Sequence, residues 1–150
     1  MFSGCTALTT APELPATVTA DACYDEMFNG CTSLVNPPEL PATIMSNYCY
    51  TGMFHDCTAL TTAPELPATE LTDSCYRAMF RGCSYINYIK MLCISTPAAS
   101  ALDSWLSGAS PTGIFVKHIN ASWNMSGDHG VPNGWTVIFF DPATDRYWTD

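Results

Sequence analysis

Apolar residues along this chain fall into two alternating textures. One is a short proline-bracketed run, seen at Leu8 to Leu14, Leu34 to Leu40 and Leu60 to Leu66. The other is a longer segment in which Leu71, Cys75, Met79 and Phe80 recur at spacings of four, four and one. The first texture predicts a brief extended segment, because Pro12, Pro15, Pro37, Pro38, Pro41, Pro64 and Pro67 cannot donate ladder hydrogen bonds. The second predicts a helix of about two turns with one apolar stripe. Gly4, Gly30 and Gly82 follow that segment where a left-handed C-terminal residue is expected, and Asp56 takes the place in one copy.

Both textures recur with a constant period. Met1-Phe2, Met27-Phe28, Met53-Phe54 and Met79-Phe80 are 26 residues apart, and most of Met1 to Tyr24 returns letter for letter in Met53 to Tyr76. A fixed period of this size marks an array of stacked units, each hiding its apolar face against its neighbours. The expected fold class is therefore an α/β repeat, a right-handed solenoid with a short strand and a short helix per coil. Residues 1–100 form the repeats, starting at Met1, Met27, Met53 and Met79, and the last unit is degenerate. Residues 101–150 form a β-rich C-terminal cap. Gly113 to Lys117 and Trp135 to Phe140 read as its strands, being β-branched and aromatic on either side of a loop rich in Gly, Asn and Pro.

The run Phe28-Asn-Gly-Cys-Thr-Ser-Leu34, followed by Pro38-Glu-Leu-Pro41, resembles the BspA-like leucine-rich repeats of bacterial surface proteins. The resemblance covers residues 1 to about 92. Leu102-Asp-Ser-Trp-Leu-Ser-Gly108, Gly113-Ile-Phe-Val-Lys117 and Gly134-Trp-Thr-Val137 resemble the tail that closes many such arrays in gut bacteria and their phages. It implies a leucine-rich repeat solenoid on the cell surface or outside the cell, and adhesion to a protein or glycan partner.

Charge narrows the partners. The formal net charge is -9 with only 5 Lys and Arg, so no basic patch for nucleic acid can be assembled. No apolar run reaches the roughly 20 residues that span a bilayer, so membrane insertion is not expected, and no signal-peptide pattern opens the chain. Met1 falls mid-phase without a polar unit ahead of it, which predicts a piece of a longer array and self-association through an open N-terminal edge.

Three groups of residues invite chemistry. Cys5, Cys31, Cys57 and Cys83 form one series at the repeat period, and Cys23, Cys49 and Cys75 form another. Both are expected to be buried columns of free thiols, the alternative being a cross-link such as Cys23 to Cys31. No C-x-x-C pair accompanies the scattered His55, His118 and His129, so no metal site is expected. Glu13, Glu39 and Glu65 share one phase, and with coils about 4.8 Å apart they should form a carboxylate row. The row reads either as exposed side chains that splay into solvent or, with Thr9, Thr10, Thr61 and Thr62 nearby, as a polar strip that recruits a cation or a basic partner. Trp105 and Trp135 lie in apolar stripes and read as core, whereas Trp123 and Trp148, flanked by polar residues, read as surface anchors. Asp128-His129 has no nucleophile motif beside it and reads as a polar loop. No cofactor is implied and no catalytic set is recognisable.

The sequence thus predicts a non-enzymatic binding or adhesion module. The second reading is a structural spacer or fibre component of a phage or cell-surface assembly.

Overall fold

The computed structural model describes residues 1–95, 97–98 and 100–149. It is a stack of coils held by backbone hydrogen bonds at the repeat spacing, but the coils are not those of an α/β leucine-rich repeat. Among the described residues there is no α-helix, only a three-residue 3-10 turn at Gly127–His129. The fold is β-rich, which corrects the expected fold class.

The segment expected to be helical is a chain of four-residue turns. In the second coil Ala22, Glu26 and Gly30 all have positive φ, and Tyr48, Gly52 and Asp56 follow in the next, then Ser74, Ala78 and Gly82. A left-handed residue at every fourth position breaks an α-helix, which needs φ near about -63° throughout. The backbone groups freed in this way bond between coils. Tyr24, Glu26, Phe28 and Gly30 donate their N–H groups to the carbonyls of Cys49, Thr51, Met53 and His55 at 2.8–2.9 Å. The residues between them turn back within the coil, as when Met27 N–H donates to Tyr24 O at 3.2 Å. Each left-handed non-glycine residue costs roughly 1–2 kcal/mol, and the intercoil bonds offset that cost.

The turn period of four also places the side chains. Phe2, Phe28, Phe54 and Phe80 stack as one ladder with ring centroids 5.5, 5.7 and 5.5 Å apart. Tyr24, Tyr50 and Tyr76 form a second at 5.6 and 6.1 Å. Both ladders end on Trp105, which stacks on Tyr76 and meets Phe80 edge-on. Met27, Met53, Met79 and the intervening cysteines and leucines fill the remaining interior.

The Leu-rich runs are extended but pair at isolated parallel bridges, Thr10 with Asn36, Thr62 with Tyr88 and Leu66 with Met91, and Val18 bridges Ile44 just beyond them. Prolines account for this, since they supply no N–H to lengthen a ladder. Where the prolines stop, strands appear: β1 (Tyr88–Met91), β2 (Ile114–His118), β3 (Thr136–Asp141) and β4 (Arg146–Trp148) make one sheet in that order. β1, β2 and β3 are parallel, with Met91 opposite Lys117 and Lys117 opposite Phe139. β4 returns antiparallel to β3. β2 and β3 occupy the stretches read as strands from sequence.

No break in the ladder coincides with residue 100. Tyr76, Ala78, Phe80 and Gly82 donate to Ala101, Asp103, Trp105 and Ser107, so Ala101 to Gly108 is one more turn of the same coil. Trp105-Leu106 there stands in the phase of Met-Phe.

Candidate functional site

Pro-Glu-Leu-Pro segments line one face of the stack. A proline must hold φ near about -65° and the residue before it is pushed to an extended conformation, so consecutive segments superpose without a ladder and leave clefts between them. One cleft of about 420 Å³ is bounded by Pro12, Glu13, Pro15, Pro37 and Glu39. The next, about 490 Å³, is bounded by Pro38, Glu39, Pro41, Pro64, Glu65 and Pro67. Glu39 belongs to both, so the glutamates stand as partitions along a continuous proline-walled groove.

All three glutamates are exposed. They differ in what they hold. Glu65 pairs with Lys90, Oε2 to Nζ 3.1 Å, while Glu13 and Glu39 have no basic partner among the described residues. Lys90 is mostly buried, with its ammonium 3.8 Å from the Phe140 ring centroid and 5.8 Å from that of Tyr147. Burial alone would lower its pKa, but the hydrogen bond and charge of Glu65 reverse the sign and raise it. Residue spacing explains how a lysine reaches this rung. Thr62 bridges Tyr88 and Leu66 bridges Met91, so the fourth coil is one residue shorter here and has lost its Pro-Glu pair. Thr10 and Thr62 are exposed at the bridges that enter the groove, and Asn36 Nδ2 donates to Thr10 Oγ1 at 3.1 Å.

The two expected tryptophan anchors separate. Trp148 is 40% exposed on β4, beside exposed Tyr147. Trp123 is 3% exposed, donates its indole N–H to Cys93 O at 2.9 Å and packs edge-on against Phe115. It is a core residue, contrary to the expectation. The alternation that signals this is present in the sequence: Ser122 and Asn124 point out and Trp123 points in. Trp105 and Trp135 are buried, with indole N–H groups donating to Gly130 O and Ser110 O.

The cysteine columns are buried except at their first members. Cys31, Cys57, Cys83, Cys49 and Cys75 are fully enclosed, whereas Cys5 and Cys23 are exposed because this chain packs no coil over the first. All eight cysteines are free thiols, including buried Cys93. The thiols of Cys31, Cys57 and Cys83 donate to the carbonyls of Phe2, Phe28 and Phe54 at 3.0–3.2 Å. Burial pushes the Cys57 thiol up to about 12. Among the described residues no group of three His, Cys, Asp or Glu could hold a metal ion. His129 of the polar loop lies against Asp103, 3.0 Å apart, and not in a cleft with a nucleophile.

No protein-family model, curated protein or solved structure matches this chain.

Proposed function

We propose that the protein is a non-enzymatic binding module of a bacterial surface or secreted protein, and that its partner is a protein segment carrying lysine or arginine, laid along the proline and glutamate groove. One observation carries this reading. Of three equivalent carboxylates, one is met by a lysine of the chain itself and two face solvent in clefts large enough for a side chain. Lys90 on Glu65 is the template for a partner's ammonium on Glu39 and Glu13. Proline walls add apolar area at little entropic cost, since their side chains are already fixed.

The test is binding of a Lys-containing peptide to the full chain by titration calorimetry. Glu13→Gln/Glu39→Gln should weaken it about tenfold or more, while Asp21→Asn/Asp25→Asn, with the same change in net charge, should not. Equal weakening by both pairs, or equal binding of the lysine-acetylated peptide, overturns the assignment.

A spacer or fibre role is the second reading, favoured by the direction of the ladder. In the turn segments each coil donates its backbone N–H groups to the next one along, so among the described residues the turn carbonyls of the first coil accept no backbone N–H from another coil, and Phe2 O takes only the Cys31 thiol from across the stack. Such an edge can pair with another copy. Sedimentation that stays monomeric at every concentration would rule that out.

A further inference from the structure

Lys117 occupies a position at which the fold elsewhere puts an apolar side chain. It sits in β2 between Met91 and Phe139 of the flanking strands, on the sheet face that carries Phe115 into the core. The opposite face holds Val116 and Phe140 against Leu92. A lysine is rarely placed on a core face unless it is paired. Lys117 is 8% exposed, and the ion pairs among the described residues do not include it. Its ammonium donates to Trp123 O and lies 4.1 Å from the centroid of the Trp123 ring. One carbonyl and one ring face offset part of the charge but supply no anion, and among the described residues the ammonium's other two N–H groups have no hydrogen-bond acceptor.

Lys117 borders an open cleft. Among the described residues β3 is the last parallel strand of the sheet. Val137 and Phe139 are half-buried, and with Val131, Met125 and Lys117 they line a space of about 400 Å³ to which the exposed Asn124, Ser126 and Asn133 also contribute. The volume lies in the range of small-molecule sites, and the lining is mainly apolar with few polar groups, as such sites are. A cationic end and apolar walls together select for an amphipathic anion. A neutral apolar ligand would leave the charge unpaired, and a small hydrophilic anion would leave Val137 and Phe139 wet.

We propose that this cleft binds a small monocarboxylate with an apolar body, a medium-chain or aromatic acid, with its carboxylate paired to Lys117 and its body against Val137 and Phe139. A planar carboxylate accepts the remaining ammonium N–H groups and converts a buried lone charge into a buried pair. Desolvation holds the Lys117 amine below the usual lysine range, and a bound carboxylate would raise it again. This site shares no lining residue with the proline and glutamate groove, so it stands or falls independently.

The experiment is a titration of the full chain with hexanoate and with benzoate, read by calorimetry and by the chemical shift of the Lys117 ε-methylene. Saturable one-to-one binding is expected, with hexanamide and hexylamine at least about tenfold weaker. Lys117→Met keeps the volume and removes the charge, and it should lose the preference for hexanoate over hexanamide. Val137→Trp fills the cleft and should abolish binding of both while leaving the groove peptide bound. Equal affinity for acid and amide in the native chain, or no perturbation of the Lys117 signal at saturating acid, overturns the proposal. A wild-type result alone decides it, so a variant that fails to fold does not leave it open.

Discussion

Gly82 lies directly over Asp56. Both are left-handed, with φ of 76° and 57°, and a Cβ built on Gly82 would run into the Asp56 carboxylate and approach its Cα to 3.5 Å. Gly108 stacks in turn on Gly82, where an added Cβ would find backbone at 3.6 Å. The glycines that look like helix stops therefore stack on the left-handed residue of the neighbouring coil, and at Gly82 the space a Cβ would need is taken by the Asp56 carboxylate.

Gly82→Ala should destabilise the protein by about 1–3 kcal/mol, from positive φ and the clash together. Urea denaturation followed by near-ultraviolet circular dichroism measures it. Gly127→Ala, with positive φ but open space around its Cβ, separates the two contributions and should cost about 1 kcal/mol. Equal losses at both sites would remove the close-approach argument.

Phe54 sits mid-ladder with neighbours at 5.7 and 5.5 Å and no exposure, whereas Phe2 has a stacked neighbour on one side only. Phe54→Ala should cost about 3–5 kcal/mol and Phe2→Ala less than half of that. Equilibrium unfolding of the two variants gives the comparison, and near-equal losses would mean that the ladder does not transmit along the stack.

Thiol labelling at neutral pH should find Cys5 and Cys23 reactive in the folded protein and the other six protected until denaturant is added. A third cysteine labelled at the rate of the first two would contradict the burial of its column.

Alkaline pH should unfold the protein through the same columns. Burial raises the thiols of Cys57, Cys75 and Cys93 from 9.0 to about 12, and Cys83 and Tyr50 shift the same way. The folded state thus prefers the neutral form. The stability these groups contribute is complete below pH 9, the unfolded value, and falls as pH rises towards 12. Thermal melts from pH 7 upward should be flat to about 9 and then decline, and Cys57→Ala should soften the decline. A decline of equal slope with the columns replaced would assign it elsewhere.

The period and the inward columns are legible in the sequence because stacked coils must repeat whatever faces the core. Conformation within the coil is not. Apolar residues at spacings of four and one suit an α-helix and a chain of four-residue turns equally well, and only positive φ tells them apart. Gly30 and Gly82 announce it, but Ala22, Glu26, Tyr48, Ser74 and Ala78 are left-handed with nothing in their side chains to show it. At Ala22, Glu26, Tyr48 and Ala78 the backbone N–H is held by a carbonyl 25 positions on, which no local rule can see. The glutamate row is legible for the same reason as the columns. The lysine that ends it is not, because Lys90 reaches Glu65 through a coil shortened by one residue. Lys117 escapes notice because a lone lysine in a β-branched strand reads as the outward partner of an alternation, and the structure turns it inward.

The intercoil ladder makes the molecule a stack whose length is counted in whole coils. Because Met1 to Tyr24 and Met53 to Tyr76 are nearly the same string, excision of residues 27–52 would bring together surfaces that already match, and duplication would do the same. Changes of 26 residues are thus nearly free of new packing problems, while a change of another length must be absorbed between the columns, as the stretch from Thr62–Tyr88 to Leu66–Met91 absorbs one residue. Each gain or loss also moves the number of carboxylate partitions by one. Recombination alone can therefore change the height of the stack and its number of carboxylates in unit steps, with the closing sheet left untouched.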